Sequence, residues 1–178
     1  MKATGIVRRI DNLGRIVIPM EIRKNLRLNQ NSPFEIFTDL AGEVILKKYS
    51  PVKELGSFAD EYAQALNQSL GHIACIADND NIIAVAGAEK KGLLNKQLNQ
   101  EIEKLLEGKK AAHHTQPLAL TADASVTYNS VITAPIVVEG EIEGSVILAS
   151  NDPNEQMGQL ELKMAETAAG FLGKQIAF

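Results

Sequence analysis

The chain changes electrical sign along its length, and that change points to a fold built in two parts. Residues 1–55 carry ten Lys or Arg against six Asp or Glu, a net of +4. Residues 56–178 carry eight against sixteen, a net of −8. Such asymmetry within one chain marks a basic module joined to an acidic one. The switch coincides with Tyr49-Ser50-Pro51, where the proline ends any strand or helix before it. Two domains are expected, 1–51 and 52–178.

The positive charge is concentrated in residues 2–27, KATGIVRRIDNLGRIVIPMEIRKNLR. Lys2, Arg8, Arg9, Arg15, Arg23, Lys24 and Arg27 face only Asp11 and Glu21, in a protein of formal net charge −4. An acidic chain does not need this cluster for solubility, so its expected partner is anionic, a nucleic-acid backbone first of all. On charge alone, a solvated basic face remains the alternative.

The rest of the composition excludes several classes. With 45% apolar residues the chain is globular rather than disordered. No apolar run reaches the eighteen or so residues of a membrane span, and the N-terminus lacks a signal-peptide core. One cysteine allows no internal disulfide. These features predict a cytoplasmic protein that does not engage a membrane.

Within the first segment, GIVRRI (5–10) and RIVIP (15–19) are short β-branched runs around Asp11-Asn12-Leu13-Gly14, the pattern of a hairpin reversal. Pro19 sits where a helix begins, and residues 20–28 place Ile22 and Leu26 opposite Arg23, Lys24 and Arg27, a short amphipathic helix. Residues 34–38 and 43–48 predict two more strands. About fifty residues bury little core. With no disulfide and no zinc ligands, the expected route to stability is association with a second copy.

The run TGIVRRIDNLGRIVIPMEIRKNLRL, with its Leu-Gly-Arg-Ile-Val-Ile-Pro core at 13–19 and Glu-Ile-Arg at 21–23, resembles the DNA-binding domain of AbrB-type transition-state regulators. The likeness continues through FEIFTD and EVILKKYSP, covering residues 1–51. It implies a swapped-hairpin, β-barrel-like dimer that binds double-stranded DNA. The positions that match the family's DNA-contacting arginines are Arg8, Arg15, Arg23 and Lys24, with Lys2 and Arg9 flanking. Lys24 stands where arginine is common; it keeps the charge but loses the bidentate fork, which suits a phosphate rather than a base edge.

In the second segment, apolar residues at 55, 58, 59, 62, 63, 66 and 70 make one helical stripe with Ser57 as its expected cap. Strands are predicted at 72–77 and 82–87, a helix at 91–106, a short strand at 118–120, a hairpin of strands at 129–139 and 141–150, and a helix at 157–176. The order α-β-β-α-β-β-β-α predicts a one-sheet α/β sandwich. The hairpin API-V-V-x-x-G-x-x-x-G-S-V-I-L at 134–148, followed by a helix, resembles the end of a GAF domain, a small-molecule sensor module. The fold class expected is thus α+β in two domains: an AbrB-type swapped-hairpin dimer and a GAF-like α/β sandwich with an antiparallel sheet. Joined at this length, the two resemble regulators of sporulation in spore-forming bacteria, most closely over residues 1–55 and 161–174. The resemblance implies a transcriptional activator and repressor associated with the nucleoid.

The GAF-like likeness implies a pocket between sheet and loops, from the stretch 87–128. Leu93, Leu94 and Leu118 are its apolar candidates, with Lys90, Lys91 and Tyr128 as polar anchors; the alternative is a domain that only oligomerises. Small residues at Ala59, Ala63, Ala165, Ala168 and Ala169 predict helix faces open to a second copy. Pairing through helices 55–70 and 157–176 would then build a tetramer from dimers. His72, His113, His114 and Cys75 have no metal-site spacing. Asp78 and Asp80 are expected to be solvated turn acids, and Glu139, Glu141 and Glu143 an exposed strand face. No nucleophile–base pairing or P-loop is present, so neither enzyme activity nor a cofactor is expected. The AbrB-type fold also serves in antidotes of toxin–antitoxin pairs, and in DNA-architectural proteins whose remaining domain only oligomerises. An antidote would carry a short disordered tail where this chain has a periodic apolar one.

Overall fold

The computed structural model describes residues 4–28, 30, 32–152 and 157–177. Contacts divide the chain into two compact units, Met1–Tyr49 and Ser50–Phe178, each described by itself. The division falls two residues before the expected one. Ser50 belongs to the second unit, because its side chain caps the helix beginning at Pro51 and its hydroxyl donates to Asp78 Oδ2 at 3.2 Å.

The first unit contains α1 (Met20–Asn25), β1 (Phe34–Thr38) and β2 (Val44–Lys48). β1 and β2 pair antiparallel, from Phe34↔Lys48 to Thr38↔Val44. The runs 5–10 and 15–19 are not strands, contrary to expectation, although the reversal between them is present. The physical reason is a missing surface. Val7, Ile10, Ile16 and Val17 are exposed, and a two-stranded hairpin with no apolar layer beneath it is marginal; β1–β2, equally thin, is the one that closes. Pro19 occupies the N-cap position of α1, as its missing N–H permits.

The two turns of this unit are chemical copies. In Asp11-Asn12-Leu13-Gly14-Arg15 the Asp11 carboxylate accepts from the N–H of Leu13 (2.9 Å) and of Arg15 (2.8 Å), while Gly14 N–H donates to Asp11 O. In Asp39-Leu40-Ala41-Gly42-Glu43 the Asp39 carboxylate accepts from Ala41 (3.0 Å) and Glu43 (2.8 Å), and Gly42 N–H donates to Asp39 O. Gly14 and Gly42 have φ of 76° and 84°, the left-handed conformation that such three-residue hairpin loops require. The fifth residue differs in sign, Arg15 in one and Glu43 in the other.

The second unit runs α2 (Pro51–Glu54), α3 (Ser57–Leu70), β3 (Ile73–Asp78), β4 (Ile82–Ala86), α4 (Lys90–Leu93), α5 (Gln100–Leu106), β5 (Ala112–His114), β6 (Leu118–Ala119), β7 (Thr127–Tyr128), β8 (Ser130–Val138), β9 (Glu141–Ser150) and α6 (Gln159–Ile176). Five strands form one antiparallel sheet in the order β4-β3-β9-β8-β5. Alternate residues feed two cores. Ala74, Ile76, Ile132, Ala134, Ile136, Val146 and Leu148 pack with α3 and α6, whereas Cys75, Ala77, Val131, Ile147 and Ala149 pack with α5 and the 118–128 segment.

Three expectations are corrected here. Gly56, not Ser57, precedes α3 at its N-cap, and its φ of 52° separates α2 from α3. The helix expected over 91–106 is two helices. Asn95 turns left-handed (φ 60°), residues 95–98 bond in extended form to Asp80 and Ile82, and Asn99 caps α5 with its side chain. The alanines expected to face a second copy, Ala59, Ala63, Ala165, Ala168 and Ala169, are instead buried against the sheet of their own chain. Small side chains let the helices lie close on the pleat, and the larger Phe58, Tyr62 and Phe171 are left to the outside, their rings 5.6–6.1 Å apart. The edge strand β5, unpredicted by pattern because it is only three residues long, completes the sheet beside β8.

Gly144 marks the tightest point of the sheet. A Cβ there would stand 2.2 Å from Ala77 O and 3.0 Å from Val52 Cγ2. Gly144→Ala is therefore expected to destabilise the protein by about 3 kcal/mol through overpacking against backbone. Gly92→Ala, where nothing lies within 4 Å, should change stability little. Urea unfolding of the two variants beside the parent checks the contrast.

Candidate nucleic-acid interface

Arg8, Arg9, Arg15, Arg23 and Lys24 are all exposed, and Lys2 lies outside the described residues. Arg8 and Arg9 precede the first turn and Arg15 closes it; Arg23 and Lys24 form the last turn of α1, where cations also complement the helix dipole. Arg27 follows with a φ of 51°. The Arg8 guanidinium donates back to Val7 O at 3.1 Å.

Arg15 is the most ordered of these by side-chain contact. Its Nε donates to Asp11 Oδ2 at 3.1 Å, while its backbone N–H donates to Oδ1 of the same carboxylate at 2.8 Å. Asp11 thus closes the turn and aims the residue that ends it, a positioning role that charge counting in the sequence gave no reason to assign. The turn sequence Asp-x-x-Gly was the available signal. The Arg15 amide, followed by the Leu13 amide and the Arg15 guanidinium, holds the Asp11 carboxyl below its ordinary value against a weaker opposing effect of desolvation. What the arrangement can do chemically is present five exposed cations on a turn and a helix end to an anionic polymer.

Of the residues expected to line a ligand pocket, the apolar ones and Tyr128 meet in one core, and the lysines do not join them. Leu93, Leu118 and Tyr128 are buried in the core under α5, and Leu94 packs at its edge. Lys90 points elsewhere: its Nζ bonds Asp60 Oδ1 of α3 at 3.1 Å. Lys91 is exposed. Burial, then the nearby Cys75, raises the Tyr128 hydroxyl above its ordinary value, and burial pushes the Cys75 thiol up to about 12. Cys75 is an inert core thiol. His113 Nε2 meets Ser130 Oγ at 2.8 Å, and His72 lies 3.9 Å from Glu161. Asp78 accepts from the N–H of Asp80 and Asn81, a turn role, but is buried where a solvated acid was expected. Glu143 departs from the exposed face expected of it: it is half-buried, and burial and Glu141 raise its carboxyl. Among the described residues, no three His, Cys, Asp or Glu are grouped to hold a metal.

Residues 54–177 match the family model described as stage V sporulation protein T C-terminal, transcription factor. Residues 7–54 match the model of antidote-toxin recognition MazE, bacterial antitoxin. The stage V sporulation protein T of Bacillus subtilis (strain 168) is 49% identical over 178 residues, covering 99% of this chain and 99% of the relative. The transition state regulatory protein AbrB of the same organism is 51% identical over 51 residues, 29% of this chain and 52% of the relative. Among solved structures, the GAF domain of an Acinetobacter phosphoenolpyruvate-protein phosphotransferase superposes with a TM-score of 0.56 at 12% identity, over 71% of this chain and 87% of that one. The second GAF domain of DevS from Mycobacterium smegmatis gives 0.55 at 12%, over 67% and 91%. At these identities the structural likeness establishes the fold alone, which is that of a GAF domain.

The Asp11 network has a pH signature. A carboxyl whose folded value is depressed contributes order above its unfolded value, near 3.8, and loses it as pH falls through the lower folded value. The Leu13 and Arg15 amide resonances should therefore stay fixed from pH 7 to about 4 and move together only below that range. An NMR titration checks this, and Asp11→Asn should lack the transition.

Proposed function

Because the chain belongs to the stage V sporulation protein T family of transcription factors, we propose that it regulates sporulation genes by binding double-stranded DNA through residues 1–51. Arg8, Arg15 and Arg23 make the groove contacts, Lys24 anchors phosphate, and Lys2 and Arg9 add to the field. The observation that carries this reading is an exposed cationic surface in a net-acidic chain, at the positions where AbrB-type regulators contact DNA. Activation or repression then follows from operator position, and sequence preference from DNA shape as much as from base edges. The chain acts in the cytoplasm on the nucleoid, and binding rather than catalysis is its role. No helix among the described residues is long and apolar enough to cross a membrane.

The DNA-binding form is a dimer through the first unit. Among the described residues, eleven large apolar side chains between Val7 and Leu46 are exposed, against four in the second unit. So much apolar surface on about fifty residues supports burial against a second copy with interleaved hairpins. The second unit supports a further pairing through the outer faces of α3 and α6, where Phe58, Tyr62, Leu160 and Phe171 form an apolar patch. Together these give a tetramer whose DNA-binding dimers are spaced by the GAF-like units, and a small molecule or a change of packing in those units modulates which operators fit. A second reading, the antidote of a toxin–antitoxin pair, draws on the match over residues 7–54. It is less favoured because a folded GAF-like unit stands where an antidote carries a toxin-wrapping tail. A DNA-architectural protein whose second unit only oligomerises is separated from the regulator by the ligand response tested below.

Binding to a promoter-length duplex should weaken by about three to five orders of magnitude between 50 and 200 mM salt, as for six to ten neutralised phosphates. Arg15→Ala with Arg23→Ala should flatten that slope and weaken binding at every salt concentration. Fluorescence anisotropy gives both, and a salt-independent affinity would refute the assignment. Light scattering of the parent at micromolar concentration should return a tetrameric mass, and Phe171→Asp a dimeric one; a parent mass already that of a dimer would remove the pairing through α3 and α6.

A further inference from the structure

One face of the second unit's sheet holds polar atoms that its own fold leaves without partners. Thr133 and Ser145 are 0% exposed, yet neither hydroxyl has a hydrogen-bond partner, and His114 Nε2 is buried in the same condition. Their positions follow from the strand register. His114 pairs with Val131, Thr133 with Ile147, and Ser145 with both Pro135 and Ala77. Cross-strand partners share a face, and so do residues two apart. Since Val131, Ile147 and Ala77 belong to the core under α5, all three polar groups point to that side.

They also form a line. On β8 the row opposite His114 is Val131, the next row on the same side is Thr133, and the next is Pro135, opposite Ser145. His114, Thr133 and Ser145 are therefore diagonal neighbours on three adjacent strands, successive Cα atoms about 7–8 Å apart. A buried polar group without a partner is costly, and natural structures keep few of them. Three in a row across the middle of an otherwise apolar surface are a recognition edge awaiting its complement.

The chemistry of the complement can be read from the same face. No strand position on it carries Lys or Arg, and Lys90, Lys91 and Lys104 of the helices packed over it are exposed, so no buried cation there neutralises a phosphate or carboxylate. Burial and the neighbouring His113 lower the His114 pKa, keeping the ring neutral. Beyond a bulge the row ends at Ile142, opposite Val137, with Glu143 half-buried next to it, and a carboxylate so close disfavours anions further. Hydroxyls and neutral imidazole each both donate and accept.

We propose that His114, Thr133 and Ser145 form the recognition edge of a binding site, on the α5 face of the sheet, for a compact uncharged ligand that offers both a hydrogen-bond donor and an acceptor along one side of an apolar body. The proposal rests on the reading of the second unit as a sensor and gives that reading its residues and ligand class.

The test uses the full chain, as parent, Thr133→Val, Ser145→Ala and the double variant, followed by thermal unfolding. Without additive, each single variant should unfold about 2–4 °C higher than the parent, because an unsatisfied buried hydroxyl is removed. Adenine, uracil and nicotinamide at millimolar concentration are the uncharged probes; AMP and nicotinate are their charged counterparts. At least one uncharged probe should raise the parent's midpoint by mass action, neither charged counterpart should, and the double variant should not respond. Variants that unfold lower than the parent would show the hydroxyls held by structural water and overturn the site. Silence from all three uncharged probes, an equal response to the charged ones, or an unchanged response in the double variant would overturn it too. Anisotropy with duplex DNA on the same samples reports on the first unit, so loss of ligand response with intact DNA binding separates this proposal from the DNA-binding one.

Discussion

Everything in the second unit depends on β9 being buried from both sides. From Gly144 to Ser150 every residue of that strand is buried, with β3 on one edge and β8 on the other. Val146 and Leu148 supply the layer that receives α3 and α6, while Ile147 and Ala149 supply the layer under α5. One strand thus nucleates two cores, and its neighbours must match it residue for residue, because a slip of one position would exchange the layers. The absence of a side chain at Gly144 belongs to the same constraint, since it lets the Ala77 carbonyl and Val52 close on the strand. In a strand this committed to burial an unpartnered hydroxyl is costly, and Ser145 on it and Thr133 beside it are both of that kind.

The first unit is organised on the opposite principle. Its shape is set by local bonds, and most of its large apolar side chains are exposed among the described residues. The Asp-x-x-Gly turns at 11–14 and 39–42 each tie their own backbone through one carboxylate and one left-handed glycine. Such turns need no core to form. The arms beside the first turn do, and in a single chain they lack one. The two hairpins differ in outcome: β1 and β2 pair over five positions, whereas residues 5–10 and 15–19, with six β-branched side chains against four, form no ladder.

Much of this was legible in the sequence where residue chemistry acts locally. The turn at Asp11–Gly14, Pro19 at the start of α1, the 130–150 hairpin and the final amphipathic helix all follow from short patterns whose physics is contained within a few residues. The misses share a cause. The 91–106 periodicity was broken by Asn95 and by bonds from residues 95–98 to Asp80 and Ile82, distant groups that no local pattern reveals. The alanine stripes were correctly placed on helices, but their direction depended on which face the sheet would claim. Likewise the cationic residues of the first unit could be named from sequence, while the Thr133, Ser145 and His114 row could not, because it exists only after three strands are in register.

The Asp11–Arg15 contact raises the question of how a residue already paired can serve a second anion. Both side chains are exposed, so the ion pair is screened by water and salt and weak as a bond. Its two parts differ in what they depend on. The backbone N–H groups of Leu13 and Arg15 hold Asp11 through Oδ1, independently of where the guanidinium goes, whereas the guanidinium uses only Nε on Oδ2. A phosphate approaching the turn can take the guanidinium, with its five donors, and leave the carboxylate bound to the amides. The loop therefore keeps its shape while its charge changes partners. A carboxylate beside an arginine proposed to read DNA looks like a liability by charge count; by geometry it is what fixes the arginine's starting position, and its own negative charge stays engaged with two amides when the guanidinium leaves.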